Sequence, residues 1–456
     1  MLLYRKVILK KMDRTSSIRT NPFPAESVFT ESNSSRKRLA SLISVFAIFV
    51  QQIFFSMSGL IGYNYGGKGE SLIYIQFIVF VFIAIVLMYV RSFIKKPQIS
   101  KSEMGFYLFF IFLIANHLLW VALDGAATRW WPDNLIFFLS MGVTGFMAAR
   151  VIHVYDAWHE LIRLSDLVIF LIGVGLVVAI VLPYNAGLIS SGIGGGSYQA
   201  ASYYSAMCFG MLGVATFRLE KDLRYKLFRG QIGLIVNVLL MIALFIAAVI
   251  NGGRGAFVLI VLYSGLIFFW IANKHGLTRR GVIRYMGVAI LLPIIISLAM
   301  DKILNDPLLA PGFNRATAFI GNSNDALIDM EKGSSGRDIV YDIAVQAIAD
   351  SPWIGYGAFG HWEKVIQPHN LFLDLSLQFG LPIAVLLFIS LSLILWRKLK
   401  PLTTEKVWLS VLFLSVTVML LFSGGYFQNA IFWFTLASFF FLGSSYKCAV
   451  DKQCKR

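Results

Sequence analysis

The chain has 456 residues, of which 57% are hydrophobic and only 14% charged, and its formal net charge is +16. Soluble globular domains carry about 25% charged residues, so an ordinary soluble protein is excluded. Runs of roughly 20 apolar residues are long enough to cross a bilayer as helices. Twelve such runs are predicted, at about 39–61, 72–90, 105–123, 135–149, 166–184, 199–217, 231–250, 256–273, 284–300, 371–396, 407–422 and 429–444. The fourth is short and the sixth carries Ser202, Tyr203, Tyr204 and Ser205, which makes them the weakest. The expected architecture is an all-α polytopic membrane protein of about 12 transmembrane helices, with one long outer loop that contains an amphipathic helix. Its divisions are a disordered basic tail at 1–38, spans at 39–300, the long loop at 301–370, spans at 371–445 and a short tail at 446–456.

Lys and Arg concentrate on the cytoplasmic side of membrane proteins. Here the N-terminal segment, the alternate turns and the C-terminal tail together hold 32 of the 40. The other eight are Lys68, Arg129, Arg254, Lys302, Arg315, Lys332, Arg337 and Lys364, all on the opposite side. Both termini are therefore expected in the cytoplasm, with the long loop outside. The excess positive charge is then an orientation signal that also attracts anionic headgroups of the lipid bilayer. Nucleic acid is not an expected partner, because no basic stripe sits on a folded soluble domain.

Residues 1–38 are basic, rich in Ser and Pro, and lack apolar periodicity, so disorder is expected there. Met12 offers a second possible start, and the first apolar run is long enough to act as an anchor rather than a cleaved signal. Gln51, Gln52 and His117 are polar residues inside early spans, where hydrogen bonds between helices are the usual reason. For His117, with Asn116 and Trp120 beside it, a local polar packing contact is expected rather than chemistry. Cys208, Cys448 and Cys454 offer neither an outer disulfide framework nor a good zinc site. The loop Ser191-Gly192-Ile193-Gly194-Gly195-Gly196-Ser197 reads as a connector, although successive Gly N–H groups can also cradle an anion. Tyr198, Gln199, Tyr203 and Tyr204 after it can offer rings and hydroxyls to a sugar at the membrane edge.

Arg254, in Asn251-Gly252-Gly253-Arg254-Gly255, ends an apolar run on the outer side, where cations are scarce. An arginine at such a boundary often snorkels to headgroups, but the flanking glycines let a ligand approach the backbone. Further on, Ser335-x-x-Asp338 forms a capping box that announces a helix over 337–350, ended by Pro352. Ile339, Val340, Ile343 and Ala347 recur at helical spacing and define its expected apolar face. Arg337 stands in its first turn, where the macrodipole disfavours a cation and the free N–H groups attract an anion. Trp353, Tyr356, Phe359, His361 and Trp362 then alternate with glycines, a pattern suited to sugar faces or to the headgroup interface. The loop closes on His369-Asn370, with Asn370 as an expected N-cap for the next span. His369 is suited to take a proton from a sugar hydroxyl near neutral pH, and Asp374 one turn later is placed to orient it.

Together these parts fit a transfer that needs no metal cofactor. Two guanidiniums suit bidentate recognition of a leaving lipid diphosphate, and no Asp-x-Asp pair occurs to hold a divalent ion. Outside the cell no nucleotide sugar is at hand, so a lipid-linked donor is the expected substrate.

The residues also carry a resemblance. An Arg at the outer end of a mid-chain span followed by Gly255-Ala256 is one element of it. Ser-Gly-Arg opening a helix before Ser351-Pro352-Trp353-Ile354-Gly355, and His369-Asn370 with Gly380 in the next span, are the others. With these the chain is similar to the bacterial O-antigen ligase and polymerase superfamily, over about 230–385 and in its span layout throughout. The resemblance implies a multi-pass inner-membrane glycosyltransferase of the kind called GT-C-like, acting on an undecaprenyl-diphosphate-linked glycan. From the residues themselves, Asn370, Trp353, Tyr356, Tyr198 and Gln199 are candidate substrate contacts; the resemblance assigns the diphosphate to Arg254 and Arg337 and activation of the acceptor to His369, and carries no other residue role. It also admits a chain-length regulator protein as a partner. Ligases often have Gly, Thr or Tyr where Ile383 stands and another His before His369, where this chain has Gln367-Pro368. These departures favour a polymerase of lipid-linked repeats over the ligase that joins finished chains to lipid A–core. The rival of another class is a twelve-span transporter, but such proteins divide at a cytoplasmic mid-chain link and carry paired polar sites at mid-membrane.

Overall fold

The computed structural model describes residues 24–61, 71–124, 135–185, 198–218, 220–251, 254–275, 305, 337–358, 368–399, 402–422 and 425–453. No strand occurs among these residues; they form an all-helical membrane body. The first helices are α1 (Pro24–Ile48), α2 (Val50–Leu60), α3 (Ser71–Lys95) and α4 (Lys101–Asp124). A π-helical turn at Phe138–Gly142 leads into α5 (Val143–Tyr155), followed by α6 (Trp158–Asn185) and α7 (Tyr198–Phe217). Next come α8 (Gln231–Ile250), α9 (Arg254–His275) and α10 (Arg337–Asp350). The last are α11 (Leu371–Phe379), α12 (Leu381–Leu399), α13 (Thr404–Phe422) and α14 (Ala430–Gln453). Among the described residues, seven helices are long and apolar enough to cross a membrane, or eight when α1 and α2, bent by 73°, count as one span. The expected span at 284–300 and the glycine loop at 191–197 lie outside the described residues.

Three departures from expectation have physical causes. Helix α1 begins at Pro24, inside the stretch expected to be disordered. Proline is well placed at a first helical position, because its fixed φ suits the helix and its missing N–H has no intrahelical partner there. The expected span 371–396 is broken at Gly380, whose φ of 82° only glycine adopts readily. At the C-terminus, α14 continues to Gln453, through part of the expected tail.

Helix α7, the least apolar of the expected spans, is the centre of the body. It packs against α6, α8, α9 and α13, and its residues from Ala201 to Ala215 are almost all buried. A helix enclosed by protein needs little lipid-facing apolar surface, and small residues such as Ser202, Ser205, Gly210 and Gly213 allow close approach. Helices α3 and α4, by contrast, bury little of their surface and carry exposed residues such as Phe80, Ile83, Leu108 and Ile111. These form the outer apolar rim of the body.

Contacts along α7 fix the two ends of the bundle. Tyr203 meets Gly255, Tyr263 lies over Gly210, and Ile267 lies over Gly213, so α7 and α9 run parallel. At the other end Thr404 Oγ1 donates to Glu220 at 3.0 Å, and further along α13 Ser415 lies beside Tyr263. The C-terminal end of α13 therefore points toward Arg254. Buried arginines fasten the opposite end, here called the Thr404 face: Arg150 pairs with Glu103 and Arg218 with Asp166. Removing one partner of such a pair costs about 3–5 kcal/mol, because the other charge stays buried.

Candidate functional site

All three residues singled out from the sequence stand at helix N-termini. Arg254 is the first residue of α9, Arg337 the first of α10, and His369 immediately precedes the N-cap of α11. The side chains of Tyr198, Arg254, Arg337 and Asp338 lie outside the described residues, as do Ser335, His361 and Trp362. The backbone positions nonetheless carry a physical statement. A helix N-terminus presents unpaired N–H groups and partial positive charge, so an arginine there is favoured only when an anion neutralises both.

The α8–α9 corner is stitched to the start of α7. Asn251 is buried and its Nδ2 donates to Ala247 O at 3.1 Å, closing α8. Ser202 Oγ donates to Ala248 O at 2.7 Å, and the Tyr203 ring lies directly against Gly255, leaving no room for a Cβ. This brings the tyrosine-rich start of α7 to the N-terminus of α9. Tyr203 and Tyr204 are buried, however, so they are packing residues here and not open platforms for a sugar. Gln199 is half-buried.

At α11, Asn370 caps the helix as expected: its Oδ1 accepts from Phe372 N at 3.0 Å and from Leu373 N at 3.3 Å. His369 has φ 54°, one of two non-glycine residues at positive φ among the described residues. A left-handed backbone at a non-glycine residue costs of order 1–3 kcal/mol and persists only where the surroundings enforce it. Here it lies between the buried Pro368 and the cap, and it projects a half-buried imidazole from the start of α11.

The stretch after α10 is docked on the broken span. Tyr356 N donates to Leu377 O at 2.7 Å, Gly357 N to Gln378 O at 3.0 Å, and Leu381 N to Pro352 O at 2.8 Å. From the other side α4 clamps it. Asn116 Oδ1 accepts from Ala358 N at 2.8 Å, His117 Nδ1 lies 2.7 Å from Ala358 O, and Trp120 packs on Gly357. The polar contact expected for His117 is thus a pin on this segment. Tyr356 is half-buried and its hydroxyl donates to Ala347 O at 2.8 Å, so that group is taken up in joining the loop to α10. Burial, and then the nearby Asp350, raise its phenol above the usual range. Trp353 is 74% exposed and open to a ligand. Helix α10 has the predicted bounds, but a different face is packed. Ala344, Ala347 and Ile348 sit against Leu373 and Leu377, while Ile339 and Ile343 are exposed. Small side chains let the two helices approach closely.

Sequence reasoning named Asn370 and Asp374 but missed Gln378, which extends them into a polar strip behind the cap. Asn370, Asp374 and Gln378 recur every four residues along one side of α11, and Asp374 and Gln378 are buried. Tyr426, in the turn between α13 and α14, donates to Gln378 Oε1 at 2.7 Å. Burial, and then the Asp374 charge, hold its phenol well above the usual range, so it remains a neutral donor. The i, i+4, i+8 spacing was visible in the sequence; the partner in Gly425-Tyr426-Phe427-Gln428-Asn429 was not. Helices α7 and α9 pack along α13, and α11 touches it.

Residues 239–389, about a third of the chain, match the family model described as O-Antigen ligase. The match spans Arg254, Arg337, Trp353, Tyr356, His369 and Asn370. A comparison with curated proteins gave no match.

Proposed function

The match at residues 239–389 supports membership of the O-antigen ligase and polymerase superfamily, and from that premise we propose that the chain polymerises undecaprenyl-diphosphate-linked oligosaccharide repeats on the periplasmic side of a bacterial inner membrane. The observation that carries this reading is the placement of Arg254, Arg337 and His369 at three helix N-termini, with His369 in an enforced left-handed conformation. In this reading both termini are cytoplasmic and the arginine face is outside.

The acceptor hydroxyl oxygen attacks the anomeric carbon of the donor sugar from the side opposite the diphosphate. The carbon–oxygen bond to the diphosphate breaks, and the lipid diphosphate leaves with the bonding pair. His369 takes the hydroxyl proton, and Arg254 and Arg337 with their helix N-termini hold the charge that develops on the leaving oxygens. Each well-placed donor of this kind contributes roughly 3–4 kcal/mol at the transition state. Asn370 fixes the imidazole through the backbone, and exposed Trp353 offers a ring to the glycan. Arg254, Arg337 and His369 require no metal for these roles.

The description of the matching family favours a second reading, the ligase that moves the finished glycan to lipid A–core. A deletion strain separates the two. Loss of a polymerase leaves a single repeat on the lipopolysaccharide; loss of a ligase removes the glycan altogether. A strain with unchanged lipopolysaccharide and unchanged exported polysaccharide contradicts both.

A further inference from the structure

On the Thr404 face, far from the three N-termini, α1, α6 and the link between α7 and α8 enclose a recess of about 380 Å3. Arg38 from α1, Glu160 and Arg163 from α6, and Tyr225 and Lys226 from the link bring their polar groups to it, with Leu42 and Leu164 as apolar walls. Arg163 is already neutralised by Glu160 at 2.7 Å. Arg38 and Lys226 make no ion pair among the described residues, so the described lining of the recess carries a net charge of two positives.

The link that supplies Tyr225 and Lys226 is held rigidly. Arg218 pairs with the buried Asp166 and donates to Leu223 O at 3.0 Å, while the Tyr225 backbone N–H also reaches Asp166. Arg224 donates to Thr216 O at 2.8 Å and to Arg218 O, and Arg229 donates to Arg224 O at 3.2 Å. Phe228 is buried and packs on Phe170. This arginine web fixes the backbone on which Lys226 stands, beside α6. Leu42, which lines the recess, is exposed, as are Leu39 and Leu227, next in sequence to Arg38 and Lys226. Exposed leucines beside a cationic recess, at the end of a helix long enough to cross the membrane, match a ligand with a charged head and an apolar tail.

We propose that this recess binds the phosphate of an anionic phospholipid from the adjoining leaflet, with Arg38 and Lys226 as its cationic contacts and the leucine rim against its acyl chains. A free phosphate ion offers the same charge but makes no use of the rim. The test is native mass spectrometry of the full chain released from nanodiscs of phosphatidylcholine doped with phosphatidylglycerol. Both cations are exposed, so Arg38→Gln/Lys226→Gln leaves the packing intact. At about 1 kcal/mol for each surface cation, the double variant should lose retained phosphatidylglycerol by roughly 30-fold. The control, Arg91→Gln/Lys101→Gln, removes two other exposed cations that do not line the recess and should lose several-fold less lipid than the recess variant. Equal loss in the two variants, or no loss in the first, overturns the proposal. Displacement of the lipid by millimolar inorganic phosphate in the wild-type chain also overturns it, in favour of a soluble anion.

Discussion

Replacing Asn370 by Ala tests whether the helix cap sets the position of His369. The cap accepts two N–H groups, at 3.0 and 3.3 Å, and its loss costs about 1 kcal/mol within a range of roughly 0.5–2. Helix α11 itself survives, because Leu371, Leu377 and Phe379 remain buried. What changes is the balance at His369, whose left-handed backbone stores of order 1–3 kcal/mol and relaxes once the cap no longer opposes it. A shift of about 1 kcal/mol changes the ratio of productive to relaxed conformer roughly fivefold, and 2 kcal/mol changes it roughly 30-fold, which bounds the loss of productive conformer from above. Turnover of a synthetic lipid-linked repeat at saturating donor should fall by up to a factor in that range, with the melting temperature lowered only slightly. Asn370→Ser keeps an oxygen acceptor and should stay within about twofold of wild type. A wild-type rate in Asn370→Ala, or a Ser variant as slow as the Ala variant, refutes the link between cap and imidazole.

Four further outcomes follow from the same geometry. Tyr426→Phe leaves Gln378 Oε1 buried without its donor and should destabilise the purified protein by about 1–3 kcal/mol, with Tyr426→Phe/Gln378→Met recovering part of the loss in a melting assay. In Gly380→Ala the positive φ and the nearby Trp353 carbonyl both oppose the new Cβ, so protease cleavage after α10 should become faster; unchanged cleavage contradicts the docked loop. If His369 accepts the proton, kcat/KM falls as pH drops through the range in which imidazoles titrate, because the protonated ring has no acceptor left. His369→Gln should be slow and flat across that range. Activity should persist in EDTA, and its collapse there contradicts transfer without a metal.

Much of the fold was legible because it rests on apolar run length. The bounds of α10 followed from a capping box and a proline, and Asn370 was recognisable as a cap from residue type alone. The central position of α7 was hidden, since low apolarity reads as weakness in a sequence although it marks a helix enclosed by protein. The break at Gly380 was equally hidden. Its cause is the backbone of Trp353 and Pro352 docking against it, a contact across the polar loop. Tyr426 belongs with Gln378 only through tertiary packing. The roles of Tyr203 and Tyr356 turned on burial, which periodicity does not report for a short polar turn.

The account stands on one diphosphate being held by Arg254 and Arg337 together. Single-turnover rates for Arg254→Gln, Arg337→Gln and the double variant, with a synthetic undecaprenyl-diphosphate-linked repeat, test this directly. Each single change should slow transfer by about 10²–10³-fold, and the double variant should be only a few-fold slower than either, as groups acting as a unit behave. Either single variant at the wild-type rate, or losses that multiply in full in the double variant, contradicts it.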